Sequence, residues 1–141
     1  MRNTLIILAA FFSSSLMAET MPVQKGTRGL EKFVIQVTNQ GNQPLSCVVT
    51  TAHWYSVALG DIAPGNSLPT TLWKNTQSGE VFILNQHQDR MPVQHFWCGH
   101  QGGSWQTRYQ FTLPDRRQQR PHPAKFNCHE GGTSTLCKSV S

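Results

Sequence analysis

Met91-Pro92-Val93-Gln94-His95-Phe96-Trp97-Cys98-Gly99-His100 is the stretch on which the fold turns. Val93, Phe96 and Trp97 give it the β-branched and aromatic content of a strand, and Cys98-Gly99 ends it in a turn. Side chains alternate across a strand. If Cys98 points into a core, Phe96 and Gln94 point the same way, and Met91, Val93, His95 and Trp97 form the opposite face. The expected partner of Cys98 is Cys47, on a strand across that core.

Upstream, Phe33, Ile35 and Val37 alternate with polar residues over 32–38, which predicts a strand. Asn39-Gln40-Gly41-Asn42-Gln43-Pro44 is a turn cluster, since glycine and asparagine tolerate left-handed backbone. Residues 45–51 alternate again, with Leu45, Cys47 and Val49 on one side. Further strands are predicted over 54–59, over 68–73 (an edge strand, because Pro69 lacks a donor) and over 81–85. Downstream of the Gly102-Gly103 turn, Trp105, Thr107, Tyr109, Phe111 and Leu113 alternate cleanly and predict the last strand. No helical period appears after the N-terminus. The expectation is an all-β chain: an antiparallel sandwich of about seven strands.

Cys47 on the second strand, Cys98 on the sixth and Trp54 on the third together resemble the immunoglobulin-like sandwiches. That resemblance implies a bridge between two sheets with Trp54 packed on it. It is architectural: Trp54 follows Cys47 by only seven residues, and Phe96 stands where antibody-type domains carry tyrosine. No function transfers with it.

The two ends differ from the middle. Arg2, the apolar run 5–12, Ser13-Ser14-Ser15 and Ala18 read as a signal peptide over 1–18, cut before Glu19. No cysteine follows the cut to carry a lipid, and no later stretch approaches the ~20 apolar residues of a membrane span. Residues 19–29 read as a loose lead-in. The mature chain of 123 residues is one domain by length, with the β-sandwich over 19–113. Residues 114–141 read as an irregular, basic tail clipped by its own disulfide. All four cysteines, Cys47, Cys98, Cys128 and Cys137, fall in the mature part. Three pairings are open, and the spacings favour Cys47–Cys98 with Cys128–Cys137. Even pairing in an exported chain places it in the periplasm or outside the cell.

Composition narrows function. Eleven of the twelve Lys/Arg and all seven Asp/Glu lie in the mature part, a net charge of +4 without the clustering of a nucleic-acid binder. Arg116, Arg117, Arg120 and Lys125 form a weak candidate anion site, but Phe126 is the lone ring near them, so stacking on single strands is not expected. The chain contains no G-x-S-x-G, H-E-x-x-H or phosphate loop, and His87-Gln88-Asp89 is a loop coincidence. An enzyme is not expected, nor a cofactor. The alternative is copper or zinc held by His87, Met91, His95 and His100. Cys98-Gly99-His100 resembles part of a cupredoxin copper loop, although the following methionine is missing. The leading expectation is a binding module for a protein or an envelope component. Its contact face would be Met91, Val93, His95 and Trp97, since a bare apolar row is either covered, here by the C-terminal tail, or a contact surface.

Overall fold

A computed structural model describes residues 24–140, so the signal segment and its cleavage point lie outside the described residues. The described chain is all-β. Its strands are β1 (Glu31–Asn39), β2 (Leu45–Thr51), β3 (Tyr55–Ile62), β4 (Ser67–Lys74), β5 (Val81–Leu84), β6 (Arg90–His100), β7 (Tyr109–Phe111), β8 (Ala124–Gly131) and β9 (Ser134–Val140). The hydrogen-bonded order is β3-β2-β6-β5-β4-β1-β8-β9, with β7 also on β6. The path folds around one core in a β-sandwich-like arrangement, with Phe33, Ile35 and Val37 of β1 buried in the same core as Leu45, Cys47 and Val49 of β2.

β6 stitches this path together. Its first residues pair with β5, and from Val93 onward it pairs with β2. At the changeover Thr50 faces His95 while Thr51 faces Val93, so Gln94 is an extra residue on β6. Such a bulge resets the in–out alternation. Val93 therefore joins Phe96 and Cys98 in the core, and Gln94 is exposed. The single uninterrupted face expected from Met91 to Trp97 is corrected on this ground.

Both disulfides form in the favoured pairing, Cys47–Cys98 and Cys128–Cys137. Each joins directly opposed residues of neighbouring antiparallel strands, with Cα atoms 4.1 Å apart. The Cys47–Cys98 bridge thus lies within one layer rather than across the core. Trp54 does not pack on it and is 94% exposed. The clean alternation of 105–113 yields just the three residues of β7, because the chain before Tyr109 is turned back on β6.

The expected irregular tail is also corrected. Residues 124–140 form the β8–β9 hairpin around Gly132, and β8 runs parallel to β1 from Ile35–Ala124 to Asn39–Cys128. The described strands number nine, in a mixed sheet. Residues 114–123 cross the end of β4, where Lys74 is buried and its Nζ donates to the carbonyls of Arg116 (2.7 Å) and Gln119 (2.8 Å). An ammonium out of water is tolerated when its donors are met in this way. Residues 24–29 are likewise not loose. Arg90 donates from Nε to the Gly26 carbonyl and from Nη2 to that of Arg28, both at 2.7 Å. Lys25 sits 3.3 Å from Asp89.

The turn between β1 and β2 is held from both ends. Buried Asn39 donates to the carbonyls of Gln43 and Ile62 and accepts from the Gly41 N–H. The Glu130 carboxylate accepts from the N–H groups of Asn42 (2.7 Å) and Gln43 (2.6 Å). Its own backbone N–H, then those of Gln43 and Asn42, hold this carboxyl below its ordinary value of 4.5. A carboxylate with a depressed pKa stabilises the fold above its ordinary value, and that contribution fades as pH falls through the depressed one. Glu130→Gln should therefore melt below the wild type above pH 4.5. The gap should close on further acidification in a series of melting curves. A gap that persists unchanged through the acid range would remove the carboxylate from the stability of this turn.

Candidate functional site

The connection from β2 to β3 is a single 3-10 turn, Ala52–Trp54. His53 and Trp54 both adopt φ 67°, a left-handed backbone that any residue with a Cβ disfavours. Each such residue costs on the order of 1–3 kcal/mol, and strain of this kind concentrates where a side chain is being presented. Here it presents Trp54, 94% exposed, and beside it Tyr55 is also exposed.

A second aromatic element faces it. Trp97 projects from β6 on the side away from Cys98 and is only 5% exposed. The ring packed against it is Trp105, edge-on at 5.3 Å, from the 101–108 segment rather than from the tail. Gly99 is what lets that segment lie down: a Cβ at this position would overlap the Ser104 backbone. Thr107 fastens the segment, accepting from the His100 N–H and donating to the Gly103 carbonyl, each at 2.8 Å. Arg108 completes the clamp. Its guanidinium carbon lies 3.7 Å from the Trp105 ring centre, and Nη1 donates to the Trp105 carbonyl at 2.8 Å. Cation–π contact of this type restrains the ring. Trp105 remains 54% exposed, in a fixed pose.

Trp54, Trp97 and Trp105 line one groove of about 380 Å³, within the size range of small-ligand sites. Its polar lining comes from Thr50, Ser56, Gln94 and His95. Ser56 of β3 opposes Thr50 of β2, which opposes His95 of β6, so the three form one row across three strands. Thr50 Oγ1 and His95 Nδ1 are 3.0 Å apart, in hydrogen-bond contact. The Trp97 Nε1 donor is buried and has no partner among the described residues.

The residues expected to form one contact face are thus divided. His95 and Trp97 belong to this groove, and Val93 belongs to the core. Met91 lines a separate groove of about 630 Å³ with Phe82, Pro92 and Tyr55. The residues of the copper or zinc alternative are also apart. His87 lies exposed on the β5–β6 turn, and His95 is engaged with Thr50. His100, at the end of β6, has a buried Nε2 without a partner among the described residues. Among the described residues no group of three or more His, Cys, Asp or Glu side chains is placed to hold a metal ion. The partial likeness to a copper loop fails at Cys98, whose sulfur is bonded to Cys47. Arg116, Arg117 and Arg120 are exposed on the crossing segment and Lys125 on β8, with Arg120 3.6 Å from Glu31.

Reading the sequence by alternation missed Trp54, Trp105, Arg108, Thr50 and Ser56 as site residues. One signal was present. Three large rings in succession, His53-Trp54-Tyr55, cannot all turn inward on a strand. The chain matches no protein-family model, and comparison with curated proteins finds no significant relative.

Proposed function

We propose that the protein is a non-enzymatic binding module, exported to the periplasm or the outside of the cell, that captures a protein or envelope component through its aromatic groove. The observation that carries this reading is Trp54, fully presented on a strained turn at the lip of a groove whose other rings are clamped. Exposed, immobilised aromatics dominate binding energy at interfaces. Two formed disulfides, and the lack among the described residues of any helix long and apolar enough to cross a membrane, are consistent with export.

Trp54→Ala should reduce retention of the purified protein on isolated native envelopes by at least about tenfold, the scale of losing one anchoring aromatic. Its melting temperature should hardly move, because an exposed side chain contributes little to packing. Equal retention by the variant and the wild type would overturn the assignment of this surface. Export is checked separately by intact mass. The mature protein should begin at or next to Glu19, and a form that keeps residues 5–12 would instead be membrane-anchored.

A further inference from the structure

We infer that the groove takes a carbohydrate chain of neutral sugar rings, a proposal that rests on the binding-surface reading above and specifies its ligand. The lining combines two chemistries. Trp54 offers an exposed π face, and Trp105, with Arg108 over one face, is still half-exposed. Such faces carry partial negative charge and attract the weakly positive hydrogens of a C–H surface. Between the tryptophans, Ser56, Thr50, Gln94 and His95 offer hydroxyl, amide and imidazole groups, able both to donate and to accept. A pyranose ring has this same pairing: an apolar C–H face and a rim of hydroxyls.

Competing ligands meet one half of the lining but not the other. An acidic peptide or phosphate would want a cation, and among the described residues no Lys or Arg lines the groove. The nearby Arg108 has its guanidinium on Trp105 and one N–H on the Trp105 carbonyl. A purely apolar partner would strip water from the Ser56–Thr50–His95 row without replacing its hydrogen bonds, which is costly. The row crosses three adjacent strands and so spans about 10 Å, two inter-strand spacings. That length suits linked rings rather than a single ion. Trp97 supplies the floor of the same space. Because strands and a clamped segment hold these groups, little ordering is left for binding to impose.

The test titrates the full mature protein with three neutral oligosaccharides: the β-1,4-linked N-acetylglucosamine tetramer, cellotetraose and maltotetraose. Tryptophan fluorescence is the readout. At least one should give a saturable change, weakened tenfold or more by Trp54→Ala. Thr50→Val combined with Ser56→Ala should weaken it several-fold while leaving the melting temperature in place. No saturation by any of the three into the millimolar range overturns the carbohydrate assignment, as does saturation indifferent to Trp54→Ala. A parallel arm uses vesicles of phosphatidylcholine with phosphatidylglycerol, and envelopes whose polysaccharide has been removed by glycosidase digestion. Trp54-dependent binding to either one, without oligosaccharide binding, would refute the sugar ligand and leave the binding surface standing.

Discussion

Trp97→Ala should lower the unfolding free energy by about 3–5 kcal/mol, the range for removing a buried tryptophan from a packed site. Trp97 is 5% exposed, and Trp105 leans on it edge-on. The substitution would leave a cavity on the outer side of β6 and remove the support beneath the 101–108 segment. Trp105 emission should then shift towards that of a solvated indole, and groove binding should fall with it. The contrast with Trp54→Ala is the informative part. Two tryptophans of one groove should behave oppositely, one costing stability and the other only binding. Denaturant melts of both variants decide it. A Trp97→Ala protein as stable as wild type would mean that the 101–108 segment is not packed on β6, and the clamped pose of Trp105 would go with it.

Cys47→Ser combined with Cys98→Ser should cost about 4 kcal/mol, from the entropy returned to an unfolded chain no longer closed over a 51-residue separation. The double replacement avoids leaving a free thiol. Cys128→Ser with Cys137→Ser opens a separation of only 9 residues and should cost ~2–3 kcal/mol by the same relation. Both bridges are buried and join opposed residues of paired strands, so local packing losses are similar and loop length sets the order. Chemical denaturation of the two double variants measures this order directly. If the β8–β9 pair proved the more costly, the parallel docking of β8 on β1 would be carrying more of the stability than chain entropy does. Peptide mapping without reduction checks the pairings themselves.

The all-β class was legible because Phe33/Ile35/Val37 and Leu45/Cys47/Val49 alternate without interruption, and alternation is a local property of the chain. The same holds for the turn at residues 40–44, where Asn39 and Gly41 announce it. The favoured disulfide pairing could be read from spacing, since a nine-residue separation closes a small loop. The candidate site was legible only in part: Trp97 and His95 were singled out, but alongside Met91 and Val93, which lie elsewhere. One inserted residue explains the error. The bulge at Gln94 depends on which residues of β2 lie opposite, and that register is a property of two strands together. The β8–β9 hairpin escaped notice for a related reason. Its buried positions are cysteines and Thr135 rather than large apolar residues, so its place beside β1 comes from tertiary pairing. Sequence alone, then, determined the strand periodicity and favoured the cysteine pairing that the structure holds. Tertiary structure decided which tryptophan is floor and which is lip, because exposure depends on what packs above a residue: Gly99 admits the 101–108 segment over Trp97, while none of the described residues covers Trp54.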